Sequence, residues 1–343
     1  MGVLSLTLLS GRHLLRHARL SPVTVRRGWS ELAPVRPRCF PLSHRALLKI
    51  HGPDTSAFLQ GIITNDMRLL EEPEQATLYS HLLNVQGRTL FDVLLYRLQE
   101  ADSLCGVLLE CDGGLTNSLL KHLKIYKIRR KVTVEPCPEL SVWAVLPGEA
   151  SKPELLTPEK ATALEADPRT ESMGWRLVMD KSEDPNHVIP SFHKGEVEEY
   201  HKHRYSIGLP EGAKDIPPGV ALPLESNLVF MNGISFTKGC YIGQELTART
   251  HHTGVVRKRL MPTRLSAPFS TQNLEEGAPL QTREGKPAGK HRSGLGDLGL
   301  GLVRTTQAKE ELTVKSVDGQ TVTLKASVPD WWPLEAKLNL ERV

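Results

Sequence analysis

The sequence predicts an α+β fold closed at its C-terminal end by a small antiparallel β-barrel. Three observations lead there. From Ala46 to Ile207, short apolar segments of strand length alternate with amphipathic segments of helix length. Glycine-bearing turns join several strands into hairpins. After Arg257 the helical periodicity gives way to short strands and turns. At 343 residues the chain is long enough for about two domains and a substantial core.

The elements follow in order. Residues 1–40 carry Arg12, Arg16, Arg19, Arg26, Arg27, Arg36 and Arg38, with Glu31 as their single acid and no lysine. Leu8, Arg12, Leu15 and Arg19 fall at helix-like intervals. Arginine-rich, serine-bearing and acid-poor is the pattern of a mitochondrial transit peptide; a basic tail is the alternative. The mature chain is expected to begin near Cys39 to Arg45, with a main region over 41–256 and a barrel over 257–343. "ALLKIHGPDTSAFLQGIITND" reads as strand, turn and helix, with Pro53 and Asp54 at the helix start. Phe58 with Ile62, and Leu59 with Ile63, would line one helix face. Thr64, Asn65 and Asp66 favour a cap or turn. "ATLYSHLLN" and "TLFDVLLYRL" form strands around a hairpin at Val85 to Arg88, and "SLCGVLLECD" a third strand that puts Cys105 and Cys111 on one face.

"GGLTNSLLKHLKIYKI" is an amphipathic helix with Leu115, Leu119, Leu120 and Leu123 as its stripe. "KVTVEP", "LSVWAVLP" and "GWRLVM" add strands. Gly148 to Thr170 reads as a surface excursion or loosely ordered insertion. A helix from about Lys194 to Ile207 is closed by Gly208. Its His201 and His203, two residues apart, face different sides and read as solvated surface. In the last region, "EGKP" and "VDGQ" are hairpin turns.

Composition narrows function. The formal charge of +4 is small for the length and argues against bulk nucleic-acid binding. No run of apolar residues is long enough to span a bilayer. The cysteines are Cys39, Cys105, Cys111, Cys137 and Cys240, an odd count with no C-x-x-C and no zinc spacing, so free thiols are expected. The glycines of "SGLGDLGLGLV" match neither a phosphate loop nor a dinucleotide fingerprint.

Cys240 stands apart. In "KGCYIGQE" it follows Lys238, whose ammonium would favour a thiolate, and lies between Gly239 and Gly243. A helix starting at "IGQELTART" would add its dipole. A buried cysteine in a turn is the alternative. As a nucleophile it needs a base, for which His251 and His252 are candidates. As an iron–sulfur ligand it falls short alone, since a cluster takes about four protein ligands. The missing ligands would come from a partner protein or a small thiol.

"ISFTKGCYIGQE" resembles the signature of the YgfZ branch of the superfamily that includes the glycine-cleavage T-protein, a tetrahydrofolate-dependent aminomethyltransferase. "FLQGIITND", "NVQGRTLFDVLLY", "YSIGLPEG" and "LPLESNL" resemble further family segments in the expected order. The resemblance spans about Lys49 to Arg257, and the barrel more loosely. It implies three subdomains around an opening able to accept a folate. There Glu225 would hold the pterin ring, and Asp92, Asn65 and Arg249 would line the pocket, with Arg257 a further cation. The transferases carry a carboxylate pair where this chain reads Phe91-Asp92, which weakens aminomethyl transfer.

With the leader, the resemblance implies a late-acting iron–sulfur assembly factor of the mitochondrial matrix that supports 4Fe–4S protein maturation. It would share a transient cluster with an A-type assembly protein through Cys240, within the signature Lys238, Gly239, Cys240, Tyr241, Gly243, Gln244 and Glu245. The alternatives are a tetrahydrofolate-dependent one-carbon transferase that uses Asp92, or a redox or tRNA-modification helper that uses Cys240.

Overall fold

A computed structural model describes residues 36–100, 103–146 and 158–341, without the side chains of 99, 100, 103–105, 158 and 339–341. The expected leader thus lies outside the described residues up to residue 35, as does the Cys105 side chain. The chain runs through β1 (Arg38–Pro41), β2 (Arg45–His51), α1 (Thr55–Gln60), β3 (Thr77–Leu83), β4 (Thr89–Glu100), β5 (Ser103–Asp112), α2 (Thr116–Tyr126), β6 (Thr133–Pro136) and β7 (Leu140–Leu146). It continues with β8 (Ala161–Ala166), β9 (Trp175–Asp180), α3 (Pro185–Val188), β10 (His193–Lys194), α4 (Val197–Ile207), α5 (Gly212–Asp215) and α6 (Gln244–Thr253). The last part holds β11 (Lys258–Leu265), β12 (Pro279–Thr282), β13 (Pro287–Leu295), β14 (Leu298–Arg304), β15 (Glu311–Lys315), β16 (Thr321–Ala326) and α7 (Leu334–Glu341).

One five-stranded sheet has the order β3-β4-β5-β2-β6 and a second the order β10-β1-β7-β9-β8. β11 to β16 close into a barrel in the order β11-β14-β13-β12-β15-β16. β1 therefore joins the second sheet before β2 enters the first. Cys39 and Phe40 on β1 are fully buried, so the folded chain reaches N-terminal of the boundary expected at residue 40.

Period-two alternation distributes β4 between two cores. Phe91, Val93 and Leu95 face a core with Phe58 and Leu59 of α1 and Leu119 and Leu123 of α2. Leu94 and Tyr96 face the other way, into a core shared with Phe40, Val142, Val178 and Tyr200 around the second sheet. Each large apolar side chain buried this way contributes about 1.5–3 kcal/mol. Because the first sheet is covered on both faces, Asp92 is not the outward-facing residue that its apolar strand allows; it is 3 % exposed.

Two further expectations are corrected. Of the stretch from Gly148 to Thr170, read as a surface excursion or loosely ordered insertion, residues 148–157 lie outside the described residues, and the rest contributes β8, which pairs antiparallel with β9. His201 is half-buried against His44, ring centroids 4.8 Å apart, and His203 bonds the Ser172 carbonyl at 2.8 Å, so neither is a freely solvated helix residue. Other signals hold. Gly208 ends α4 in the left-handed region at φ 73°, and "EGKP" and "VDGQ" turn β12 into β13 and β15 into β16.

Beneath the second core lies a buried ionic network. Arg176 Nη2 and Arg169 Nη1 meet Glu211 Oε2 at 2.5 and 2.8 Å, and Tyr200 donates its hydroxyl to the same oxygen at 2.7 Å. Arg45 Nε bonds Glu110 at 2.7 Å, Arg169 pairs with Asp167 at 2.7 Å, and Arg204 with Asp215 at 2.6 Å. Burial pushes the Glu211 carboxyl up, but Arg176, Arg169 and Arg45 outweigh it and hold it well below the carboxylate range.

Candidate functional site

The site is built from the loop between Ile234 and α6. Its centre, Cys240, is exposed, whereas Cys39, Cys111 and Cys137 are buried. Burial pushes the Cys39 thiol up to about 12 and that of Cys111 up to about 11, so neither is a thiolate at neutral pH. Cys240 makes no hydrogen bond to any described residue.

The residues on either side of it are pinned. Lys238 is 8 % exposed and turns inward, its Nζ donating to Ile63 O at 2.7 Å and Asn65 O at 2.5 Å. The ammonium also lies 5.1 Å from the Tyr241 ring centroid. Burial lowers its pKa to about 7, with Asp66 opposing that shift. The ammonium expected to favour a thiolate is thus committed to carbonyl groups of the α1 segment. Gln60 Nε2 holds Lys238 O at 3.3 Å and Asp66 Oδ1 at 2.9 Å. On the far side, Ile242 N donates to Gly61 O at 3.1 Å and Tyr241 N to Gln244 Oε1 at 3.1 Å.

The β3–β4 hairpin braces the same loop. Gly243 has φ 77°, and a Cβ there would stand 2.2 Å from Asn84 O and 2.9 Å from Leu83 Cβ. Only glycine allows this approach. Gly239 has φ 96° but open space around it, so it serves backbone conformation alone. The segments "FLQGIITND", "NVQGR" and "TKGCYIGQE", separate in sequence, are therefore one another's packing and hydrogen-bonding partners. Together they fix a backbone and leave its thiol in solvent.

The helix expected just after Cys240 starts later, at Gln244 with Gly243 as its N-cap residue, because Gly243 adopts the left-handed conformation that breaks the chain direction. His251 is stacked on Phe236 at 3.6 Å and 8°, and neither it nor His252 bonds Cys240. Among the described residues, therefore, neither candidate histidine is hydrogen-bonded to the thiol as its base. No group of three or more His, Cys, Asp or Glu among the described residues could hold a metal ion.

A second feature is an open cavity of about 460 Å³ lined by Leu222 to Glu225, Leu246, Thr247, Thr250, Val255 to Lys258 and Arg304. Glu225 is half-buried there. Burial raises its pKa against the pull of Lys258, Arg88 and Arg292. The Thr247 hydroxyl is buried without a hydrogen-bond partner. Of the residues matched to a folate pocket, Glu225 and Arg257 meet here. The others do not line this cavity. Arg249 is exposed on α6. Asn65 Nδ2 bonds Tyr79 O and Asn232 O, both at 2.8 Å. Asp92 accepts the Gly212 amide at 3.1 Å and lies 3.8 Å from Arg45, inside the ionic network. Burial raises its pKa, Arg45 opposing.

The network members Arg45, Arg169, Arg176, Arg204 and Glu211 were not foreseen. Nothing near them in sequence says that these charges, some of them inside apolar strands such as "GWRLVM", converge in space. Thr247 likewise looks like an ordinary helix residue.

Comparison with known proteins agrees with this architecture. Residues 257–334 match the family described as CAF17, C-terminal beta-barrel domain. The chain is 50 % identical over 335 residues to "Iron-sulfur cluster assembly factor IBA57, mitochondrial" of Homo sapiens, covering 94 % of this chain and 92 % of that one. It is 51 % identical over 311 residues to the protein of the same name from Mus musculus, covering 87 % and 86 %. A homolog from Mycosarcoma maydis is 33 % identical over 84 % of this chain and 83 % of its own. Among solved structures, the glycine cleavage system aminomethyltransferase T from Bartonella henselae superposes with a TM-score of 0.66 over 87 % of each chain at 18 % identity, a likeness of fold.

Proposed function

From the premise that the chain belongs to the IBA57 family of mitochondrial iron–sulfur cluster assembly factors, we propose that it donates the Cys240 thiolate to a cluster held jointly with a second protein. One observation carries this reading. A solvent-facing thiol stands on a loop clamped from both sides, and among the described residues no group of three or more His, Cys, Asp or Glu could hold a metal ion. A cluster needs about four protein ligands, so the remainder come from the partner. The clamp keeps the ordering cost of the loop low when the partner arrives. An A-type assembly protein in the mitochondrial matrix is the partner proposed, and maturation of 4Fe–4S proteins the purpose.

The Glu225 cavity fits a folate as a bound group. Glu225 and the partnerless Thr247 hydroxyl suit a pterin, and Arg257, Lys258 and Arg304 suit carboxylates. Bound there, a tetrahydrofolate would supply one-carbon chemistry. The transferase reading is disfavoured because Asp92, its candidate catalytic acid, is locked among buried charges away from the cavity lining. A redox role of Cys240 alone would need no partner.

The deciding experiment mixes the protein anaerobically with an A-type partner loaded with a 2Fe–2S cluster, with and without Cys240→Ser. A visible spectrum that requires both proteins and the thiol is expected. The same spectrum from the serine variant, or a full cluster held by the chain alone, would overturn the proposal.

A further inference from the structure

The C-terminal end of α2 carries a surface that the cluster chemistry does not use. Lys121, Lys124, Lys127, Arg129, Arg130 and Lys131 stand in one short stretch, and no acidic residue occurs between Asp112 and Glu135. Among the described residues, none of these cations is ion-paired. Ile125 is 62 % and Ile128 76 % exposed, among the most exposed large apolar side chains of the described chain. Lys121, Lys124 and Ile125 share the helix face opposite Leu119 and Leu123, which are buried in the core, and Ile128 is exposed in the turn that follows the helix. A recess of about 400 Å³ lies between Leu120, Lys124, Lys127, Ile128 and Val134.

This surface is held in shape. Arg129 takes a left-handed backbone at φ 60°, which turns the chain out of the helix. Arg130 N bonds Lys127 O at 2.9 Å, and Lys131 N donates to Asp54 Oδ2 at 2.7 Å. Gly52 lets its turn pack directly on the Lys131 carbonyl, which a Cβ would meet at 2.4 Å. Asp54 is thereby occupied by a backbone amide. Glu135 faces His51 at 3.4 Å.

We propose that this corner docks the protein on an anionic lipid bilayer, with Ile125 and Ile128 inserted among the headgroups and the surrounding cations on the phosphates. Charge complementarity selects a polyanionic occupant, each cation near such a surface adding to the attraction. The protruding aliphatic side chains select lipid among polyanions. A nucleic acid would be met by aromatic stacking platforms, and the exposed apolar groups here are isoleucines. An interfacial apolar face flanked by Lys and Arg is the pattern of a peripheral membrane contact.

The test is co-sedimentation of the full chain with phosphatidylcholine vesicles, with and without about a third of an anionic phospholipid. Hydrogen exchange on the bound sample localises the contact. Binding only to the anionic vesicles is expected, with protection gained over residues 121–131. Arg129→Glu with Arg130→Glu should weaken binding at least about tenfold. Ile125→Ser with Ile128→Ser, which leaves charge untouched, should weaken it about tenfold. All these changes are at the surface, and an unchanged urea midpoint verifies the fold. If the serine pair binds vesicles as tightly as the parent, or protection falls only on other segments, membrane docking is refuted. Loss on charge reversal alone would point instead to a soluble polyanion and would equally overturn the proposal.

Discussion

Replacing Gly243 with alanine, beside the same change at Gly239, tests how the Cys240 loop is held. Both glycines lie in the left-handed region, at φ 77° and 96°, so each alanine incurs about 1–2 kcal/mol of backbone strain. At Gly239 nothing stands within 4 Å of the new Cβ, and that strain is the whole effect. At Gly243 the methyl would sit 2.2 Å from Asn84 O and 2.9 Å from Leu83 Cβ. Neither neighbour is the free end of a flexible side chain. The hairpin must move off the loop, which adds about 1–3 kcal/mol of overpacking. Gly239→Ala should therefore cost about 1–2 kcal/mol and Gly243→Ala about 2–5 kcal/mol in urea unfolding. Hydrogen exchange supplies a local readout. The Ile242 amide, bonded to Gly61 O at 3.1 Å, should exchange faster in Gly243→Ala and little faster in Gly239→Ala. Equal destabilisation by the two changes would refute the bracing of the loop by the hairpin.

Cys240→Ser should change unfolding free energy by no more than about 0.5 kcal/mol, because the side chain is exposed and unbonded; a larger loss in urea titration would mean the thiol is structural. Glu211→Gln removes the buried negative charge shared by Arg169, Arg176 and Tyr200 and should destabilise by about 3–5 kcal/mol, seen as a lowered urea midpoint. Burial lowers the His81 imidazole to about 3, between Tyr79 OH and Thr89 Oγ1, each at 3.0 Å. Its unfolded pKa is about 6.5, so on acidification the unfolded chain takes up this proton before the native one. The His81 contribution is complete above about pH 6.5 and drains away toward about pH 3, at up to about 1.4 kcal/mol per pH unit. In His81→Gln the slope of unfolding free energy between about pH 6.5 and about pH 5 should fall by that amount; an unchanged slope would show that His81 is protonated in the native state.

The sequence made local structure legible where periodicity and turn chemistry were strong. α2 was marked by its leucine stripe, the β3–β4 hairpin by Gly87, and the end of α4 by Gly208. β8 escaped because "ATALEA" has good helix formers and little β-branching; its pairing with β9 decides its state. Cys240 was legible from its glycines and the segment around it. The fate of Lys238 was not, since nothing near it in sequence says that its ammonium reaches the carbonyls of Ile63 and Asn65. Asp92 was ambiguous because alternation tells which residues share a face, not whether a second sheet covers that face. Glu225 and Arg257, named separately from the sequence, line one cavity, while Arg249 is exposed on α6.

The ionic network has a consequence for how the molecule assembles. Its charges come from β2, β4, β5, the segment before β9, β9, α4 and the segment through α5; Asp167 and Arg169 pair locally, but Arg45 with Glu110 and Arg176 with Glu211 join parts of the chain far apart in sequence. A partly folded form would strand ammonium-like or carboxylate charges in a dry interior, at a cost of several kcal/mol per ion. Intermediates of that kind are thereby depopulated, and the two sheets with α4 should melt as one cooperative unit. Damage at Arg169, Arg176 or Glu211 would deplete the whole protein, whereas damage at the exposed Cys240 would leave the fold intact.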